Sequence, residues 1–129
     1  MSNITGACRP SMKKLCLILS LVLVGLQRNA LAADVEKGKT LYAQRCAMCH
    51  GDSGEGNGPL AATMPEGQKP RNLAAGANKY ASDDAKLTEL LQKGGAAVGL
   101  SVLMPSQADL KAADLADLVA FVNSLRKKQ

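Results

Sequence analysis

Residues 46 to 51 read CAMCHG, which places two cysteines, two spacers, a histidine and a glycine in six positions. No other segment constrains the chain as strongly. A Cys-x-x-Cys-His cluster is readable as a thiol redox pair, as part of a metal cage, or as the attachment point of a prosthetic group. Each reading demands a different fold around it. A thiol-exchange motif belongs near the start of a helix that follows a strand, and a structural zinc site needs a fourth ligand of matching type.

The compartment narrows the choice. Arg9, Lys13 and Lys14 precede the apolar run Leu15 to Leu26, and Ala30, Leu31 and Ala32 supply a small-residue cleavage pattern. Residues 1–33 are therefore expected to be a cleaved signal peptide, with a mature domain over 34–129 starting near Ala33 or Asp34. The run is short for a membrane span. Met12 opens MKKLCLILS, itself a complete signal start, so translation is alternatively expected to begin there. Cys8 and Cys16 fall in the leader, leaving Cys46 and Cys49 as the only thiols of an exported chain. In an oxidising compartment such a pair is bridged, metal-bound or consumed covalently.

Net charge points away from nucleic acid once it is divided along the chain. The total is +5, with 16 basic and 11 acidic residues. Arg9, Lys13, Lys14 and Arg28 all precede the expected cleavage point, where no acid occurs, so the mature part carries twelve bases against eleven acids, or +1. Arg126, Lys127 and Lys128 sit together at the C-terminus and complement a helix end there. No basic patch is left to serve a nucleic acid.

The mature chain reads as helices and loops without strand alternation. Val35, Gly38, Leu41, Tyr42 and Cys46 share one face of a helix expected over about 34–47, with Asp34 and Glu36 at its positive end. Gly38 costs about 1 kcal/mol against Ala in a helix interior, which points to close approach of another helix. GDSGEGNGP (51–59) is a loop rather than a phosphate cradle, since no strand precedes it. Short helical turns broken by Pro65 and Pro70 follow. Ser82 is expected to cap a helix bearing Leu87, Leu90 and Leu91 on one face and ending at Gly94. A terminal helix is expected from Gln107 to about Lys127, with Ser106 and Asp109 as a capping box and Leu110, Leu115, Leu118, Val119, Val122 and Leu125 as its stripe.

Against this pattern the cysteine motif ends a helix with no strand before it, and the mature chain offers no further Cys or His to complete a zinc site. A Cys-x-x-Cys-His unit suits haem attachment: two thiols a turn apart form thioethers with the vinyl groups, and the adjacent imidazole becomes the proximal iron ligand. A covalently held porphyrin would also supply core material to a domain whose aromatics are Tyr42, Tyr80 and Phe121 alone. For the sixth ligand, the absence of a second His excludes a bis-histidine iron within this chain. Met48 lies between the cysteines and does not reach around the haem, while Met64 has a short tether from His50. Met104, 54 residues beyond His50, follows an apolar loop and precedes Pro105 and the last helix.

The chain from about Asp34 to Lys127 resembles a class I c-type cytochrome. The likeness rests on the Cys46-to-His50 motif near the mature start, Gly58-Pro59 nine residues past the histidine, Leu103-Met104-Pro105 before a long terminal helix, and an aromatic residue on each terminal helix. It implies an all-α fold of three to five short helices around one covalently bound haem c. The first and last helices are then expected to cross near Gly38 and Tyr42 on one side and Phe121 on the other. It also implies Met104 opposite His50 on iron, and a Pro59 carbonyl accepting the other ring proton of His50. With both axial positions filled, the expected task is single-electron transfer between redox protein partners by a periplasmic monomer, without catalytic residues. Two other readings stay open: a haem subunit of a larger oxidoreductase, and a gas- or peroxide-reactive protein with a labile sixth ligand. Lys69, Arg71 and Lys79 are readable as propionate or partner contacts, or as solvated surface charge.

Overall fold

The computed structural model describes residues 32–75, Tyr80 and residues 83–126. The expected leader over 1–33 lies almost wholly outside them, as do Ser82, Lys79, Lys127 and Lys128. Among the described residues there are four α-helices and no strand: α1 Val35–Arg45, α2 Ala47–His50, α3 Asp84–Lys93 and α4 Ala112–Arg126. Single 3-10 turns at Ala61–Thr63, Glu66–Gln68 and Ala96–Val98 punctuate the loops.

Helix α1 starts where its N-cap chemistry dictates. The Asp34 carboxylate accepts from the backbone N–H of Glu36 and Lys37, satisfying donors that have no partner within the helix. Its inward face is narrower than the periodicity suggests, because Gly38 and Tyr42 are buried while Val35 is exposed. The expected run to Ala47 is interrupted at Cys46, whose backbone (φ −122°, ψ −34°) separates α1 from the single turn of α2.

The glycine loop after α2 folds back onto it. Gly56, Gly58 and Leu60 donate backbone N–H groups to the carbonyls of His50, Cys49 and Met48, at 2.8, 3.0 and 2.9 Å. Those carbonyls have no helical partner of their own, so the loop caps the turn that carries the cysteine motif.

Helix α3 begins at Asp84, and its cap is Asp83, whose side chain accepts from Lys86 N–H at 3.0 Å. Leu87, Leu90 and Leu91 are buried as their spacing predicts, and Gly94 (φ 80°) ends the helix. Helix α4 starts five residues later than expected. The Ser106 hydroxyl accepts from Ala108 N–H instead of closing a capping box with Asp109. Asp109 instead pairs with both terminal nitrogens of Arg45 at 3.0 and 2.7 Å. The Gln107 N–H bonds to Leu91 O at 2.7 Å, fastening this stretch to α3.

Helices α1 and α4 form the centre of the fold. A Cβ on Gly38 would lie 2.0 Å from the Asp117 carbonyl oxygen and 2.9 Å from the Cβ of Phe121, so a crossing this close depends on position 38 having no side chain. One turn further along, the Tyr42 and Phe121 rings meet with centroids 5.1 Å apart. Asp117, on the buried side of α4, accepts from Asp34 N–H at 2.7 Å and pairs with Lys37 at 3.2 Å; Lys37 also contacts Asp114. The Asp34 N–H, and after it Lys37, hold the Asp117 carboxyl below the usual carboxylate range despite burial.

A depressed folded-state pKa contributes stability that is present at neutral pH and is lost as pH falls through the lowered value. Asp117→Asn is therefore expected to unfold at lower urea than the parent at neutral pH, with the difference narrowing as pH falls below the ordinary carboxylate range. Urea titrations at neutral and at acid pH check it.

Candidate haem-binding site

Five parts of the chain converge on one cleft of about 460 Å³. The kink at Cys46 and the turn after it deliver Cys46, Cys49 and His50 to one side. Helices α3 and α4 supply a leucine- and valine-rich wall that includes Leu87, Leu90, Leu91, Leu118 and Val122. The segment 99–105 brings Met104 to the same space, and the turn before Pro65 brings Met64. Met48 is 53% exposed and does not line the cleft, as its place between the cysteines predicts.

Cys46 and Cys49 are both unbridged. Burial pushes the Cys46 thiol up to about 11, only partly opposed by Arg45. Thiol-exchange enzymes need the opposite, a depressed pKa that exposes thiolate, so this environment suits a consumed sulfur better than a redox-active one. Among the described residues no three His, Cys, Asp or Glu side chains gather as a candidate metal-ion site.

The His50 ring is held by a carbonyl. Its Nδ1 lies 3.1 Å from Arg71 O, and because a carbonyl only accepts, Nδ1 is the donor. Burial drives the His50 pKa below its ordinary value, against the raising effect of that bond. A neutral ring with Nδ1–H leaves the Nε2 lone pair available to a metal. The resemblance assigned the acceptor role to Pro59, and here the observed acceptor is Arg71. Pro59 is exposed and outside the cleft lining, because its neighbours Gly58 and Leu60 spend their N–H groups on α2. No sequence signal could have indicated Arg71, since the group used is a backbone oxygen that every residue possesses.

Met104 is fixed through its main chain, its carbonyl accepting from Gly95 N–H at 2.9 Å and its N–H donating to Ser101 O at 3.2 Å. Tyr42 donates its phenol proton to Gly51 O at 2.8 Å, tying α1 to the loop beside His50. Among the basic residues of 69–71, Lys69 is paired with Glu66 at 2.5 Å and Arg71 lines the cleft. The cleft is thus apolar on the helix side, with two thiols, an imidazole and two thioethers reaching its surface. Those are the donor types and the lining that a thioether-linked haem requires.

Comparison with known proteins gives the same picture. Residues 35–126 match the family Cytochrome c. Cytochrome c-554(547) of Halothiobacillus neapolitanus is 34% identical over 98 residues, covering 74% of this chain and 100% of that protein. The Cbb3-type cytochrome c oxidase subunit CcoP of Azospirillum brasilense is 36% identical over 100 residues, or 77% of this chain but 31% of the subunit. Thiosulfate dehydrogenase of Stutzerimonas stutzeri is 32% identical over 101 residues, 29% of its length. The chain thus spans about a third or less of the oxidase subunits and the dehydrogenase, and the full length of the small cytochrome. No solved structure matches. With a helical shell closed at Gly38 and a family match running from the first residue of α1 to the last of α4, the chain belongs to the class I c-type cytochromes, electron-transfer proteins that carry covalently bound haem c.

Proposed function

We propose that this chain is an exported monohaem electron carrier, with Cys46 and Cys49 as thioether anchors and His50 Nε2 and the Met104 sulfur as axial ligands. The observation that carries this reading is the convergence of all four side chains on one cleft from two segments far apart in sequence. When bound, the haem supplies a one-electron iron couple. The chain's residues do the rest. The two sulfurs tether the group, Arg71 O orients the imidazole, and the leucine wall excludes water. A thioether paired with imidazole favours reduced iron relative to two imidazoles.

Export is supported by the leader pattern in the sequence. Among the described residues no helix is long and apolar enough to cross a membrane. A small, freely diffusing cytochrome is favoured by the full-length alignment with cytochrome c-554(547). Work as a haem module within a larger oxidase or dehydrogenase is the second reading, favoured by the relatives of which this sequence covers about a third or less. In either case the partners are redox proteins.

Protein purified from a haem-maturing host is expected to give a c-type pyridine haemochrome at one haem per chain, an intact mass one haem above the processed peptide, and low-spin iron in both oxidation states. A high-spin ferrous form that binds carbon monoxide readily would instead indicate a labile sixth ligand. Co-purification with a stable partner at physiological salt would favour the second reading.

A further inference from the structure

A ligand carried on a loop needs something besides the loop to hold it, because a small misplacement of a metal-bound atom is costly. The two residues before Met104 gain little from burial, since Val102 is 70% exposed and Leu103 46%. Polar contacts hold them instead. Gln68, the last residue of the turn Glu66–Gln68, reaches across 33 residues of sequence, and its Oε1 accepts from the Ser101 hydroxyl at 2.7 Å and from the Val102 N–H at 3.1 Å. The same hydroxyl lies 3.3 Å from the Gln68 carbonyl, and Ser101 Oγ accepts from Leu103 N–H at 3.2 Å. One side-chain amide thus holds Ser101 and Val102 directly and, through the Ser101 hydroxyl, Leu103, the three residues leading into Met104. Gln68 and Ser101 also line the cleft, so this latch joins the turn after Met64 to the segment bearing Met104.

We infer that Gln68 is a positioning residue for Met104, a latch between the two loops that keeps the sulfur on the iron and slows its replacement by outside ligands. The inference rests on the reading of Met104 as an axial ligand. Met104 itself is held from the α3 side by Gly95, so loss of the latch frees the preceding segment without unfolding the loop as a whole. Losing one part-buried and one exposed hydrogen bond raises the population of the detached form by roughly 10- to 100-fold.

The test uses the haem-loaded protein and its Gln68→Ala, Gln68→Glu, Ser101→Ala and Met104→Ala variants. Readouts are the sulfur-to-iron charge-transfer band of the ferric form, the rate of imidazole binding to ferric iron, the reduction potential and the thermal midpoint. Gln68→Ala is expected to keep its haem and the band at neutral pH, yet to bind imidazole about 10- to 100-fold faster, with a lowered potential. Ser101→Ala should show a smaller change in the same direction. Gln68→Glu keeps an acceptor oxygen for both donors and is expected to restore slow binding, which a general loss of stability would not do. Imidazole binding at the parental rate in Gln68→Ala overturns the latch, provided Met104→Ala has lost the band. A band that survives in Met104→Ala shows instead that another residue ligates iron, and the latch falls together with that ligand assignment.

Discussion

The Cys46→Ala/Cys49→Ala variant is expected to leave a haem-maturing host colourless, one haem lighter than the parent, and without a cooperative thermal transition. The argument is one of core material as much as of tethering. Leu87, Leu90 and Leu91 bury their side chains toward the cleft, and burial of each contributes about 2 kcal/mol. The whole net stability of a domain is about 5–15 kcal/mol. A shell that cannot retain its prosthetic group keeps an unfilled cleft of about 460 Å³ beside these leucines, and a void of that size in a core costs a large share of that margin. Haemochrome absorbance, intact mass and far-ultraviolet dichroism during heating measure the outcome. Each single variant is expected to retain at most one thioether and a small, unstable coloured fraction. If the two thiols served exchange chemistry instead, the double variant would fold as the parent does, with unchanged dichroism and mass apart from the substitutions.

Gly38→Val is expected to give the largest effect of any substitution away from the cleft. A Cβ alone would stand 2.0 Å from the Asp117 carbonyl, which is backbone and has no rotamer to yield. The helices must separate, which loosens the Tyr42–Phe121 contact and the Asp117 bond to Asp34. Overpacking of this kind costs about 1–3 kcal/mol in ordinary cores and more against a rigid backbone. Gly38→Ala gains about 1 kcal/mol of helix propensity, which offsets part of the clash, so it is expected to fold with a reduced thermal midpoint. Gly38→Val gains less propensity while adding two more methyl groups to the clash, and is expected to accumulate little or no folded holoprotein. Yield of haem-loaded protein and denaturant midpoints distinguish the two.

Much of this architecture was legible because the relevant residues leave local marks. Gly38 in an apolar stripe announced a helix crossing, and Leu87, Leu90 and Leu91 announced a buried face at helical spacing. Cap positions were less legible, since Ser106 and Asp109 satisfy the pattern of a capping box while Arg45, 64 residues away, claims the aspartate. Asp117 escaped notice because a charged residue reads as solvent-facing unless its partners, the Asp34 N–H and Lys37, are known. The break at Cys46 left no mark either, for no proline or glycine signals it. In the site the side-chain donors were readable and their supports were not. Arg71 acts through a carbonyl, and Gln68 through a contact spanning 33 residues, neither of which has a spacing that repeats or a composition that stands out.

The bond from Asp34 to Asp117 joins positions 83 residues apart, and the helices that carry them lie at opposite ends of the described chain. Packing of α1 therefore waits until α4 has been made, because its partner Asp117 lies 83 residues later in the sequence. Under the export proposed above, a polypeptide held open in this way is one that a narrow translocation pore could thread. It also keeps both thiols within reach of whatever installs the chromophore, up to the moment the two ends meet.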